Sequence, residues 1–142
     1  MPENLINILL VEDDEVDIMN VKRAFMKNKI TNPLFIARNG LEGLDNLRGN
    51  NGVPVISPLP KIILLDINMP KMGGLEFLAE LRRDQELHAI SVFILTTSNE
   101  ESDKMTAYDL NVAGYIIKPI FFENFVNAVA TLNSYWQLCE IA

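Results

Sequence analysis

Short apolar runs alternate along the chain with longer stretches in which apolar residues recur at helical spacing. The runs are Leu5–Val11, Pro33–Ala37, Lys61–Leu65, Val92–Leu95 and Gly114–Ile117. They are short for helices, and their near-continuous apolar character suits strands covered on both faces. Between them, Ile18, Val21 and Phe25 share a helical stripe. So do Leu41, Leu44 and Leu47 after Asn39-Gly40, and Leu75, Leu78, Ala79 and Leu81 after Gly73-Gly74. A fourth stretch, near Glu100 to Leu110, is weaker and more polar, and the last carries Phe122, Phe125, Val129, Leu132 and Trp136 on one face. Five strand-then-helix units predict an α/β fold, a doubly wound (βα)5 domain around a five-stranded parallel sheet. Ligands of such sheets bind outside the carboxyl ends of the strands, near the reversal of strand order.

Gly49–Pro60 breaks the rhythm. Its two glycines and three prolines exclude regular helix or central strand, and it is long for a helix-to-strand connection. It marks no domain boundary. At 142 residues the expectation is one domain over 1–142, with its core over about 5–138. A hydrophobic fraction of 49% and a charged fraction of 22% exclude disorder. The 12 basic and 19 acidic residues leave a net charge of −7, which argues against nucleic acid and anionic lipid as partners. Cys139 is the single cysteine, so neither a disulfide framework nor a multi-cysteine metal site is expected. The start of the chain lacks the basic flank of a signal peptide, and no apolar run is long enough to span a membrane. A reducing cytoplasm is the expected location.

Residues capable of chemistry follow directly after the strand runs. Glu12-Asp13-Asp14 follows the first, Asp66 the third, Thr96-Thr97-Ser98 the fourth and Lys118-Pro119 the fifth, whereas the second offers only Arg38 and Asn39. Carboxylates gathered on neighbouring strand ends repel one another, and a divalent cation relieves that repulsion. Mg²⁺ prefers carboxylate oxygens together with water and phosphate oxygens. Glu12, Asp13 and Asp66 against Lys118 would leave a bare site near −2. A metal, Lys118 and the Thr96 hydroxyl could then hold a phosphoryl group, and Asp66 is the best candidate for a nucleophile forming an aspartyl-phosphate. Each residue also has a plainer reading. Asp13 or Asp14 could be the N-cap of the first helix, Asp66 a turn residue before Pro70, the threonines β-formers, and Lys118 a surface lysine. Their joint placement on one rim favours the chemical reading.

These pieces resemble the receiver domain of two-component response regulators. The matching segments are ILLVEDD with Glu12 and Asp13, LLDINMPKMGG with Asp66, VFILTT with Thr96, and GYIIKP with Tyr115 and Lys118. The resemblance runs from about Leu5 to Leu138 and implies the flavodoxin-like strand order 2-1-3-4-5. It implies phosphoryl transfer from a sensor histidine kinase onto Asp66. Mg²⁺, or Mn²⁺ in its place, would be held by Glu12, Asp13, Asp66 and the backbone carbonyl of Asn68. The Asn68 side chain would tune hydrolysis, Lys118 would pair with phosphoryl oxygens, and Thr96 and Tyr115 would form the switch. The output surface would be the fourth helix, the fifth strand and the fifth helix. Thr97 stands where many members carry alanine, and Ile120 where phenylalanine is common.

A narrower likeness, to stand-alone regulators of bacterial phytochrome kinases, is carried by Gly49–Pro60, the LTTS run and Tyr135-Trp136. It implies a kinase of the bacteriophytochrome type and a homodimer through the output surface. Because no output domain follows the last helix, the chain is expected to signal by docking onto a downstream phosphotransfer or output protein, and not to be an enzyme beyond its own phosphorylation and dephosphorylation. Two rivals differ in kind. A phosphatase of the haloacid-dehalogenase type would need an acid two residues after its nucleophile, where Asn68 stands. A receiver-fold interaction module that no longer takes phosphate would have lost part of the set Glu12, Asp13, Asp66, Thr96 and Lys118; a phosphate sink without a regulated output would keep it. His88 and Cys139 are given no role.

Overall fold

The computed structural model describes residues 5–118 and 122–138. Strands β1 (Ile8–Val11), β2 (Leu34–Ala37), β3 (Ile62–Leu65), β4 (Ser91–Thr96) and β5 (Gly114–Ile117) alternate with helices α1 (Glu15–Lys27), α2 (Gly40–Arg48), α3 (Gly74–Arg83), α4 (Glu101–Asp109) and α5 (Phe122–Leu138). The strands form one sheet in the order β2-β1-β3-β4-β5, and every neighbouring pair is parallel. The expected topology is therefore the observed one. Pro119, Ile120 and Cys139 lie outside the described residues.

The unbroken apolar runs have a simple cause. Successive side chains of a strand face opposite sides of the sheet. Leu9, Val11, Ile63, Leu65, Val92 and Ile94 face one layer, with α2 and α3 supplying Leu44, Leu47, Phe77, Leu78 and Leu81. Ile8, Leu10, Ile62, Leu64, Phe93 and Leu95 face the other, with α1 and α5 supplying Ile18, Val21, Phe25, Phe125, Val129 and Trp136. Both faces are covered, so the middle positions of the central strands are apolar throughout, and polar residues enter β4 only at its ends, Ser91 and Thr96. Fully burying one such side chain contributes roughly 1.5–3 kcal/mol. Among the described residues, α4 buries only Ala107, which accounts for its weak pattern in the sequence.

The observed strands differ slightly from the apolar runs. β1 begins at Ile8, because Asn7 is buried and its side chain donates to the Pro58 carbonyl at 2.8 Å. That bond ties down the long connection after α2. Gly49 closes α2 in the left-handed region at φ 74°, and farther on Ile56 inserts into the α2–α3 core layer while its amide donates to Asn46. The segment is long because it contributes a core side chain, a role its Gly and Pro content did not reveal. β4 runs on to Thr96, so the two threonines straddle the strand end.

Arg82, near the end of α3, ties three elements together. Its guanidinium donates to the carbonyls of Leu110 (2.7 Å), His88 (2.8 Å), Ile90 (2.8 Å) and Asn111 (3.1 Å). The start of β4 and the turn after α4 are thereby fixed to α3.

Candidate functional site

The sheet register sets the site. Val11 is opposite both Ala37 and Leu65, so β1 and β3 end level and deliver Glu12 and Asp66 side by side. The Asp66 amide donates to the Val11 carbonyl at 3.0 Å. Glu12 is almost completely buried, and its Oε2 accepts from the Asp14 amide at 3.1 Å. Asp66 is also buried, and its Oδ1 accepts from the Ile67 amide at 2.8 Å. Asp13 points outward into solvent. Oxygens of Glu12, Asp13 and Asp66 all lie within 4.8 Å of one another.

The two readings of the acidic run separate cleanly. Asp14, not Asp13, is the N-cap of α1: its Oδ1 accepts from the amides of Val16 (2.8 Å) and Asp17 (3.0 Å). Asp13 takes no part in that cap and stays with the converging carboxylates. At the end of β2 the sequence offered nothing chemical, and the structure gives Arg38 and Asn39 architectural work. Arg38 pairs with Glu15, and Asn39 caps α2 through the Glu42 amide at 2.9 Å.

The loop after Asp66 is pressed against α3. The Gly74 amide donates to the Ile67 carbonyl at 2.8 Å, and a Cβ at Gly74 would lie 2.1 Å from the Asp66 carbonyl oxygen. Only glycine permits this approach, which holds the Asp66 backbone in place. Asn68 is exposed and lines a cleft of about 600 Å³ together with Glu12, Asp13, Asp66, Thr97 and Lys118.

Lys118, just past β5, lies across this cleft. Its ammonium donates to Glu12 Oε1 at 2.9 Å and to Asp17 Oδ2 at 2.6 Å. Burial opposes the positive charge, but the hydrogen bonds to Asp17 and Glu12 outweigh it and hold the Lys118 pKa above its ordinary value. Burial pushes the Glu12 carboxyl up to about 7, with the bond from Lys118 opposing the rise and the Asp66 charge adding to it. Glu12, Asp13 and Asp66 against Lys118 give this corner a charge near −2 on sequence alone. Asp17 is a fourth carboxylate, so the bare site is more negative than that. It was missed because its pairing with Lys118 spans 101 positions and depends on how α1 sits on the sheet.

The two threonines have different surroundings. Thr96 is fully buried, its Oγ1 accepts from the Ser98 amide at 3.2 Å, and its carbonyl accepts from the Lys118 amide at 2.6 Å. Thr97 is the one exposed to the cleft. Tyr115 donates from its hydroxyl to the Ser98 carbonyl at 3.0 Å, with its ring half-buried and 6.4 Å from the Tyr108 ring. Ser98 also donates from its hydroxyl to Asp103 on α4 at 2.5 Å. Ser98 thus links Thr96, Tyr115 and α4, a position that its place in the LTTS run did not disclose.

A hard divalent cation fits this donor set: three converging carboxylates, two of them buried, opposed by a single ammonium. The family model of the response regulator receiver domain matches residues 8–130. The chain is 39% identical over 129 residues to the probable methanogenesis regulatory protein FilR2 of Methanothrix harundinacea, a match covering 91% of this chain and 82% of that one. It is 37% identical over 129 residues to the response regulator Rcp1 of Synechocystis, covering 91% and 87% of the two chains. The solved Mn²⁺-bound form of Rcp1 matches with a TM-score of 0.83 over 96% of this chain and 99% of that one, at 33% identity. The phosphorylated cyanobacterial phytochrome response regulator RcpA matches at 0.84 over 96% and 97%, at 32% identity. Sheet order, acidic cleft and matched span agree, and the chain belongs to the response regulator receiver domain family, similar to the response regulator Rcp1 and to the phytochrome response regulator RcpA.

Proposed function

We propose that the chain accepts a phosphoryl group on Asp66 from a phosphohistidine of a sensor histidine kinase. The observation that carries this reading is the convergence of Glu12, Asp13 and Asp66 beside the Lys118 ammonium at the carboxyl end of the sheet. An Asp66 carboxylate oxygen forms the new bond to phosphorus, the phosphorus–nitrogen bond breaks, and the imidazole leaves to take up a proton from solvent. Glu12, Asp13, Asp66 and the Asn68 carbonyl would hold Mg²⁺, for which Mn²⁺ could substitute. The metal supplies charge neutralisation for the transferring oxygens. Lys118 supplies further positive charge, Thr96 a hydroxyl donor, and the Asn68 side chain flanks the acceptor where it would influence hydrolysis.

Phosphorylation adds roughly −1.5 to −2 charge and three acceptor oxygens. A Thr96 hydroxyl drawn to one of them would give up the Ser98 amide, and through Ser98 would disturb Tyr115 and α4. The readout surface is α4, β5 and α5, where Met105, Tyr108 and Tyr135 are exposed. Such a surface suits a homodimer contact or a downstream phosphotransfer or output protein. The kinase is of the bacteriophytochrome type, a reading supported by the likeness to RcpA and to the bacteriophytochrome response regulator RtBRR at 40% identity. The setting is the cytoplasm, and the chain forms a single domain over 1–142 with no independent enzymatic turnover.

The test is intact mass after incubation with a small acyl phosphate and Mg²⁺. One phosphoryl adduct is expected on the wild type, and none on Asp66→Asn or without the metal. An adduct that persists in Asp66→Asn would overturn the assignment of the acceptor. A wild type that takes no phosphoryl group from either the acyl phosphate or a phosphorylated kinase would favour an interaction module instead.

A further inference from the structure

We propose that Asp17 is a positioning residue for Lys118, seating its ammonium on the α1 side of the cleft in competition with the phosphoryl group on Asp66. The proposal rests on the phosphoryl-acceptor reading above. An ammonium has three donors, and two are committed here, to Glu12 and to Asp17. The bond to Asp17 is the shorter, at 2.6 Å against 2.9 Å. Asp17 is outside the set of three carboxylates that converge within 4.8 Å, so it is not placed to share a cation with them. Its position is fixed from below. The Asp14 cap takes the Asp17 amide at 3.0 Å, which locks the first turn of α1 and aims the carboxylate across the cleft.

The pair is also sheltered. The Lys118 side chain is 11% exposed and that of Asp17 29%, so water screens the attraction less than it would at the surface. Lysine reaches on a flexible four-carbon stem, and a point charge of this kind can change seats without moving the backbone. One donor of the ammonium is free, but the bonds to Glu12 and Asp17 draw its position towards α1, and an approach to a phosphoryl oxygen on Asp66 works against that pull. Asp17 therefore lowers the affinity of the site for a phosphoryl group. A neutral side chain of the same shape removes the competing seat.

The experiment uses the full chain at saturating Mg²⁺ and titrates beryllium trifluoride, a phosphoryl analogue, into wild type, Asp17→Asn and Asp17→Glu. Removing a partly sheltered ion-pair partner is expected to tighten binding in Asp17→Asn by about fivefold. Asp17→Glu keeps the charge and is expected to remain close to wild type. A second readout needs no analogue: the Lys118 side-chain ammonium resonance should shift in Asp17→Asn and return towards wild type in Asp17→Glu. Thermal unfolding of all three separates these effects from a loss of fold. Unchanged or weaker binding in Asp17→Asn, with a wild type that binds, overturns the proposal and leaves the acceptor reading intact. A wild type that binds no beryllium trifluoride overturns both.

Discussion

At the scale of single residues, the acidic run after β1 shows why type alone does not assign a role. Asp13 and Asp14 are adjacent and chemically identical, and either could cap a helix or face a cation. Geometry divides them: Asp14 spends its carboxylate on two amides and Asp13 does not. Asp14→Ala is expected to cost about 1 kcal/mol, read by urea unfolding. It should also loosen the turn that carries Asp17. Tyr115 offers a test by pH. Burial raises its phenol above the ordinary 10.0; the Ser98 side chain pulls the other way, and the charges of Asp103, Asp66 and Glu100 add to the rise. Unfolded tyrosine ionises first as pH climbs past 10.0, so this residue's contribution to stability falls from there until the folded phenol ionises too. Denaturation on either side of that pH should show the fall in wild type and a smaller one in Tyr115→Phe, which at neutral pH is weaker by about 0.5–1.5 kcal/mol.

At the scale of elements, the fold was largely readable and the site only in part. Strand positions follow from continuous apolar runs, because a parallel sheet buried on both faces tolerates nothing else at Ile62–Leu65 or Val92–Leu95. Helices α1, α2, α3 and α5 follow from their periodic stripes, and α4 stays indistinct because only Ala107 is buried. The strand-end residues Glu12, Asp66, Thr96 and Lys118 were legible from their order alone. Contacts between distant elements were not. The pairing of Asp17 with Lys118, the plug formed by Ile56 and the four carbonyls gathered by Arg82 leave no local signature. Arg82→Leu should cost roughly 1.5–3 kcal/mol, the range for hydrogen bonds to a charged group, and should speed amide exchange first in the turn after α4. Gly74→Ala forces a Cβ onto the Asp66 carbonyl. Overpacking of this kind costs about 1–3 kcal/mol. It should also reduce phosphoryl acceptance, because it displaces the acceptor's own backbone.

At the scale of the whole molecule, charge governs approach. The chain carries −7, and six carboxylates line the cleft against one ammonium. A divalent cation is drawn in, while a small anionic phosphodonor is held off. Raising ionic strength shortens the screening distance to about 8 Å at physiological salt. With Mg²⁺ kept saturating, the rate of phosphorylation by an acyl phosphate should therefore rise between low and physiological salt. A rate that falls would mean the local charge of the loaded cleft, not that of the whole chain, dominates the encounter.

The two ends of α4 are held by different hands. Its last turn is bolted to α3 through Arg82, by bonds that involve nothing in the cleft. Its first turn hangs on Ser98, whose amide rests on the Thr96 hydroxyl beside the cleft. Mechanically this is a lever with its fulcrum at the far end. Nine residues make an arm of roughly 13 Å, so a tilt of about 10° would carry the free end some 2 Å while leaving the fulcrum still. A partner resting on Glu101, Ser102 and Met105 would register the stroke, whereas one resting on Asp109 and Asn111 would find the same surface throughout. If the proposed switch acts through Ser98, where a partner grips the helix would decide whether that partner senses it.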